Sequence, residues 1–108
     1  MEASTRQRIE AGLKARLDVL PSGPGTIELR LSEEPDAPAW QVILGEEAQL
    51  LTGPAEWPSC SITVQAADLE DLWNGYAQLE PCLIDGRVEL EGDLALGMVV
   101  VPVLLAPY

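Results

Sequence analysis

The sequence contains no histidine and no phenylalanine, and only six of its 108 residues are basic. Without histidine the chain lacks the side chain that most often serves as a general base or a zinc ligand, so histidine-dependent catalytic triads are excluded. The 18 acidic residues give a net charge of −12, which opposes binding to a phosphate backbone. These scarcities argue against nucleic acid as a partner and against many kinds of enzyme.

Cysteines and long hydrophobic runs are scarce as well. Cys60 and Cys82 are too few for a disulfide framework and, without histidine, too few for a structural zinc site, so we expect both thiols to be reduced and buried. No run reaches the roughly 20 apolar residues of a membrane-spanning helix, and the first residues lack the pattern of a secretory signal. We therefore expect a cytoplasmic protein without a transmembrane segment, cofactor or metal.

The chain nevertheless has enough apolar residues to fold, since 47% of it is hydrophobic, and its length predicts a single domain over residues 1–108. Ser4 or Thr5 is expected to cap a first helix that ends at Pro21. Its apolar positions recur at helical spacing: Ile9, Leu13, Leu17 and Leu20. The helix holds four of the six basic residues, and a solvated basic face on a helix that packs against a sheet explains them better than membrane contact.

Alternation of apolar and polar residues predicts five short strands, at about 27–31, 40–44, 48–52, 61–65 and 88–90. Three of them follow one another closely, which indicates an antiparallel meander, and a polar connection at 33–38 separates the first from the second. In every strand the apolar residues occupy one face, so we expect a sheet with one face in the core and the other toward solvent.

Two further helices are predicted after the fourth strand. Asp68 is expected to cap a short helix that ends near Gly75. Its apolar stripe consists of Leu69, Leu72, Trp73 and Tyr76. Residues 81–86 are typical of a turn of helix or a tight loop. Asp93 is expected to cap a last helix, within an apolar run over residues 94–106, which Pro102 should stop near Val101.

The last helix has no charged side chain, and a helix that is apolar all round needs covering on every side. Three arrangements would cover it: burial in the core, contact with another chain, or contact with a bound apolar ligand. Because two earlier helices can already cover one face of the sheet, we expect more apolar surface than the fold can bury.

The candidates for catalysis are carboxylate pairs and lone thiols. Asp68 with Asp71, and Glu89 with Glu91, are the carboxylate pairs, and each is better explained as a solvated face or a helix cap. The two cysteines have no neighbouring base or cation to activate a thiolate, and no calcium-binding loop is present. The residues therefore do not predict an enzyme.

Two segments resemble the sterol carrier protein 2 family: A-A-D-L-E-D-L-W-N-G at 66–75 and G-R-V-E-L-E-G-D-L-A-L-G-M at 86–98. Residues 59–64 resemble the strand before the first segment, and Trp40 resembles an aromatic residue of the second strand. The resemblance implies an α+β fold, with a five-stranded, mainly antiparallel sheet and helices over one face that enclose a hydrophobic tunnel. It also implies a carrier of fatty acyl chains, sterols or isoprenoid lipids that catalyses no reaction.

Some bacterial relatives in this family serve as accessory factors in isoprenoid quinone synthesis, offering a lipid to a partner enzyme. The chain departs from the family pattern at its apolar residues 99–101, where polar positions are usual. Its final A-P-Y also differs from the peroxisomal tripeptide of some relatives.

We predict that an apolar lipid contacts nine residues: Trp40, Leu72, Trp73, Tyr76, Leu83, Ile84, Leu94, Met98 and Val101. Ordinary core packing explains each of them equally well. The predicted function is a non-catalytic lipid carrier. The alternative is an interaction module whose apolar C-terminal segment docks on itself, as a homodimer, or on a lipid-metabolising partner protein.

Overall fold

The computed structural model describes residues 3–32 and 39–107, so the polar connection at 33–38 lies outside the described residues. The described elements are α1 (Ala3–Arg16), a 3-10 helix (Leu17–Val19), β1 (Thr26–Leu31), β2 (Ala39–Ile43), β3 (Gln49–Thr52), β4 (Cys60–Val64), α2 (Ala66–Trp73), α3 (Leu79–Ile84), β5 (Val88–Gly92) and α4 (Leu94–Leu104). Within these residues, no helix is both long and apolar enough to cross a bilayer.

The five strands form one open sheet in the order β3-β2-β1-β4-β5. The meander of β1, β2 and β3 is confirmed, because both of its pairs are antiparallel. β4 pairs with β1 in parallel, and β5 pairs with β4 in antiparallel fashion at the sheet edge. The predicted α+β class with a mainly antiparallel five-stranded sheet is therefore confirmed, and the β1–β4 pair makes the sheet mixed.

The register places most apolar side chains of the strands on one face, whereas Ile43 and Leu51 lie on the other. Ile27 lies opposite Val42 on β2 and Cys60 on β4, and Ile62 lies opposite Leu90 on β5. This face joins the helices in one continuous core, whose members include Ile9, Leu13, Ile27, Leu29, Trp40, Ile62, Leu69, Leu72, Val100 and Leu104. The helices therefore cover a single face of the sheet.

Two predicted helix starts are wrong, and one predicted apolar stripe extends too far. α1 already begins at Ala3, so Ser4 and Thr5 lie inside its first turn. α2 begins after Gln65, an N-cap without a side-chain hydrogen bond, and Asp68 lies in the first turn rather than at the cap. α2 ends at Trp73 and Gly75 follows with a φ of +80°, so the predicted end near Gly75 is confirmed. Tyr76 lies beyond the helix instead of extending its apolar stripe. A helix can begin or end at any of several neighbouring residues, so its ends are harder to predict than its periodic interior.

The last helix confirms one predicted end and contradicts the other. Asp93 caps α4 as predicted, because its Oδ1 accepts the Leu96 N–H at 3.1 Å. Pro102 does not stop the helix, which continues to Leu104. The missing proline N–H deprives only the Met98 carbonyl of its partner, and Met98 and Pro102 both lie on the exposed side where water can reach. The Leu105 N–H then bonds to the Val101 carbonyl and completes the last turn.

Glu28 is buried on the polar face of the sheet, with 3% of its surface exposed. Its carboxylate accepts the Arg30 Nε–H at 2.6 Å, the Ala55 N–H at 2.8 Å and the Ser61 hydroxyl at 3.4 Å. Burial alone raises the pKa of Glu28, but the hydrogen bonds from Arg30 and Ala55 outweigh burial, and the net pKa is lowered. The carboxylate thus fastens the β3–β4 connection to the sheet.

We expect Glu28→Gln to lower the free energy of unfolding at pH 7 by about 1 to 3 kcal/mol, because ionised hydrogen-bond partners are lost. A carboxylate with a depressed folded-state pKa stabilises the fold above its unfolded pKa, here about 4.5, and that stability is lost as pH falls through the folded value. Urea unfolding of both proteins at pH 7 and below about pH 4 measures this difference. A gap between the two proteins that stays constant over this range would contradict the assignment.

Candidate functional site

Four of the nine predicted lipid-contacting residues lie in the interior. Trp40, Leu72, Trp73 and Val101 are each at most 2% exposed and belong to the continuous core. Each buried indole N–H has a partner, since Trp40 donates to Glu10 Oε1 and Trp73 donates to the Leu104 carbonyl, both at 3.0 Å. These four side chains therefore lie within the packed core between the sheet and the helices, which is where the tunnel is predicted.

The other predicted residues lie nearer the surface. Leu83 is half-buried against the core, whereas Tyr76, Ile84, Leu94 and Met98 are strongly exposed. The structure thus separates the predicted site into an interior set and a surface set, and their roles in lipid contact stay predictions.

An apolar groove of about 390 Å³ lies between the C-terminal parts of α1 and α4. We call it the α1–α4 groove; its lining consists of Ala15, Arg16, Val19, Pro102, Val103, Ala106 and Pro107. Small and aliphatic side chains provide most of the wall, and Arg16 provides the positive charge. Apolar walls around one guanidinium fit an amphipathic anion.

Arg16 is held firmly at this groove, with only 6% of its surface exposed. Its Nη1 donates to the Gly12 carbonyl at 2.8 Å and its Nη2 donates to the Ala106 carbonyl at 2.7 Å. The guanidinium also lies 4.5 Å from the centre of the Trp73 ring, which is the geometry of a cation–π contact. The arginine therefore links α1 to α2 and to the end of α4.

A second groove, of about 300 Å³, lies on the other side of α1 and is lined by Arg8, Ala11, Glu70, Trp73 and Asn74. Arg8 Nε bonds to Glu70 Oε1 at 2.9 Å across it. Trp73 lines this groove and Arg16 lines the other, so each groove has one member of the stacked pair in its wall. α1 therefore lies over the Trp73 side chain between two apolar grooves.

The outer side of α4 carries a row of exposed apolar residues that we call the α4 stripe: Leu94, Ala95, Met98, Val99 and Pro102. Leu94 is 57% exposed, Met98 63% and Val99 55%. The opposite side of the helix is buried. The expectation of surplus apolar surface at the C-terminal end is met at this stripe, although half of the helix circumference is covered by the domain itself.

Neither cysteine has the environment of a nucleophile. Cys60 and Cys82 are free and buried, and burial is the main cause that raises the pKa of both thiols. Among residues 3–32 and 39–107, no group of three or more acidic or cysteine side chains could hold a metal ion.

The α1–α4 groove as a whole was missed by sequence reasoning, because none of its seven lining residues is among the nine predicted lipid contacts. The spacing of Arg16 from Ile9 and Leu13 places it on the buried face of α1, and that spacing was the available signal.

Comparison with solved structures finds the same fold. A crystal structure of sterol carrier protein 2 like 2 from Aedes aegypti superposes with a TM-score of 0.76 at 23% identity, covering 88% of this chain and 92% of that one. A solution structure of palmitated SCP2L2 from Aedes aegypti gives 0.72 at 22%, covering 91% and 89%. A ubiquinone synthesis protein, UbiJ-SCP2, gives 0.57 at 19%, covering 87% and 74%.

No curated protein matches the sequence closely. The sequence does match a family model that describes SCP-2 sterol transfer proteins, and the match extends over residues 7–105. It includes every strand and the helices that form both grooves. The chain therefore belongs to the SCP-2 sterol transfer family.

Proposed function

We propose that this protein binds and carries a single-chain anionic lipid, such as a long-chain fatty acid, without catalysing a reaction on it. The observation that carries the proposal is the α1–α4 groove, in which a buried arginine lies among apolar side chains. The guanidinium of Arg16 would bind the carboxylate of the lipid, and the aliphatic wall would contact the first methylenes of the lipid tail. Membership of the SCP-2 sterol transfer family and the fold shared with a palmitated relative support this choice of ligand.

The hydrophobic effect supplies most of the free energy for such a complex. Each buried methylene contributes about 0.8 kcal/mol, so about ten methylenes contribute on the order of 8 kcal/mol before the cost of association. Micromolar binding requires about 8 kcal/mol after that cost, so the remaining methylenes of a long chain and the contact of the carboxylate with Arg16 must offset it. A carrier of this kind needs neither a cofactor nor a catalytic residue.

The four interior residues of the predicted site mark the path that the rest of the lipid tail would follow. Trp73 stacks on Arg16 at the groove, and Val101 immediately precedes Pro102 in its wall. Because Trp73 and Val101 are packed tightly, the tunnel in this proposal opens only when the tail enters and the helices move apart. Leu72 and Trp40 lie deeper in the same core and would contact the distal part of the tail.

Native mass spectrometry of the purified protein, with and without added palmitate, tests the proposal directly. A mass increase of one fatty acid, together with saturable displacement of a fluorescent fatty acid by palmitate, is the expected result. A protein that takes up neither probe would overturn it.

We expect Val19→Glu to weaken fatty-acid binding by about tenfold, because a carboxylate in the groove repels the lipid carboxylate and interrupts the apolar wall. Val19 is strongly exposed, so the fold should tolerate the change. Leu51→Glu on β3 is the matched control, since it adds the same charge at another exposed apolar position outside the groove. Equal losses of affinity in both variants would indicate a general effect of charge rather than a site.

A second candidate function is an accessory role for a partner protein. The exposed α4 stripe is the observation that favours it, and the shared fold with a ubiquinone synthesis protein is consistent with it. The two functions are compatible, because a carrier must deliver its lipid to another molecule.

A further inference from the structure

α1 contributes little apolar surface to the core for its length of 14 residues. Among its residues whose burial the structure describes, four are buried: Ile9, Gly12, Leu13 and Arg16. Two of these are large and apolar, whereas α2, with eight residues, buries four apolar side chains. A helix with few buried apolar contacts can separate from a fold at a lower free energy than global unfolding requires. α1 can therefore open while the sheet and α2 stay folded.

Polar contacts along α1 hold it to three other parts of the described fold. Near its start, the Arg8 Nε–H donates to Glu70 Oε1 on α2 at 2.9 Å. Further along, Glu10 Oε1 accepts the Trp40 Nε1–H from β2 at 3.0 Å. At its last residue, Arg16 donates at 2.7 Å to a backbone carbonyl that follows α4. Each such contact has a modest net effect on stability, because water replaces the lost partner when the contact opens. These contacts therefore fix the closed position of α1 more than they prevent its opening.

The connection from α1 to β1 provides a hinge. The 3-10 helix after α1 ends at Val19, and the chain is anchored again at Gly23, whose N–H donates to the Gly45 carbonyl in the β2–β3 connection at 3.2 Å. Between these points Pro21 has a fixed φ, so bending falls on its ψ and on the two torsions of Ser22. Changes at so few torsions would move α1 as one body. α2 and α4 each follow a strand after a single residue, so neither begins with a comparable hinge.

α1 covers the two tryptophans of the interior. Gly12 lies directly on the Trp73 ring, since a Cβ there would be 2.4 to 2.8 Å from three ring atoms. Trp40 contacts the same helix, because its indole N–H bonds to Glu10. Both tryptophans are at most 2% exposed, so a lipid tail reaches them only when an element above them moves. Displacement of α1 opens a space beside both rings, next to the groove whose wall includes Arg16.

We propose that α1 is a lid, which swings about Pro21 and Ser22 to admit the lipid tail between itself and the two tryptophans, with the Arg8–Glu70 ion pair as its latch. This lid rests on the proposed carrier function and is the element that moves when the lipid enters. Of the three polar contacts, the Arg8–Glu70 pair is farthest from the hinge along α1, and it is exposed, so it can open directly to water. Once inside, the tail replaces the apolar contacts that α1 has lost, and the lid closes over it.

Hydrogen exchange of the ligand-free protein tests the lid without any lipid. We expect the amides of residues 9–16 to exchange through one common opening, about tenfold faster than those of β1 after correction for intrinsic rates. Arg8→Gln should speed this exchange by about two- to fivefold more, because it removes an exposed ion pair. Arg87→Gln is the matched control, since Arg87 forms an exposed ion pair with Asp85 outside α1, and it should leave the exchange of α1 unchanged.

Exchange of α1 no faster than that of β1 would overturn the lid. Protection that rises steadily from the start of the helix to its end would also overturn it, because that pattern indicates fraying of the helix terminus. Equal acceleration in Arg8→Gln and Arg87→Gln would show that the Arg8–Glu70 pair is not the latch.

A reversible lock on the lid tests its role in lipid entry. In the double variant Arg8→Cys with Glu70→Cys, a cleavable bis-maleimide linker joins α1 to α2, and the two native cysteines are buried away from the reagent. We expect uptake of a fluorescent fatty acid to become about tenfold slower in the linked protein and to recover when the linker is cleaved. Asp85→Cys with Arg87→Cys, carrying the same linker outside α1, is the matched control and should take up the probe at the unlinked rate.

Unchanged uptake in the protein linked from α1 to α2 would overturn the lid, and so would equal slowing in both linked proteins. The two measurements also separate the lid from the carrier function. Local opening of α1 without fatty-acid binding by any form rejects the carrier function. Fatty-acid uptake in a protein whose α1 exchanges only through global unfolding rejects the lid alone.

Discussion

Replacing Gly12 with alanine is expected to lower the free energy of unfolding by about 2 kcal/mol, although alanine is the better helix former by about 1 kcal/mol. A Cβ at position 12 would lie 2.4 to 2.8 Å from three atoms of the Trp73 ring. The ring cannot retreat easily, because its Nε1 donates to the Leu104 carbonyl and Arg16 stacks on it. Thermal or urea unfolding measures the loss, and a shift of roughly 10 °C in the midpoint corresponds to it.

Gly45→Ala is the matched control. The nearest atom to an added Cβ at Gly45 is the Glu47 carbonyl oxygen at 3.6 Å, an ordinary contact, and the glycine does not have a positive φ. We expect its stability to be unchanged or slightly higher, because alanine restricts the unfolded chain. If Gly12→Ala were as stable as Gly45→Ala, α1 would have to be free to lift from Trp73, and the close packing under α1 would be wrong.

The parts of the fold that the sequence predicted are those set by local periodicity. Leu29 on β1, Ile62 on β4 and Val88 on β5 each alternate with polar neighbours, and the structure buries all three. The apolar spacing of Leu69 and Leu72 likewise identified α2 and its buried side. These patterns can be recognised in the sequence because one side of each strand or helix faces the core and the other faces solvent, so apolar residues recur with the period of the element.

The parallel pairing of β1 with β4 could not be derived in that way, because β4 joins β1 through contacts between distant residues. The burial of Glu28 has the same origin: alternation predicts a solvated carboxylate, but Ala55, 27 positions later, folds back to cover it. Non-local packing decides both features.

The candidate groove was missed because two residues on the buried side of α1, one in the groove and one beside it, are of types that usually indicate something else. Arg16 was assigned to a solvated basic face, although it shares the buried side of α1 with Ile9 and Leu13. Gly12 weakens a helix by its intrinsic propensity, and only the Trp73 ring beneath it explains its place. A charged residue and a glycine within an apolar helical spacing were therefore the signals of a closely packed side of the helix.

Arg16→Met is expected to weaken palmitate binding by about tenfold or more, because a charge-assisted hydrogen bond to a carboxylate contributes about 1.5 to 3 kcal/mol. Binding of hexadecanol, which has the same chain and no charge, should change little. Methionine keeps an unbranched apolar side chain over Trp73, so the packing of the groove wall is largely retained. Arg16→Lys keeps the charge and loses the planar fork, and an intermediate affinity is expected.

The comparison of the two lipids separates a headgroup contact from a loss of structure. Arg16 also donates to the carbonyls of Gly12 and Ala106, so Arg16→Met should lower the unfolding midpoint, and binding must be measured well below it. A structural loss would weaken palmitate and hexadecanol alike, whereas a carboxylate contact selects palmitate. If Arg16→Met bound both lipids as tightly as the unmodified protein, the lipid would lie elsewhere. The role of the α1–α4 groove as its headgroup site would then be refuted.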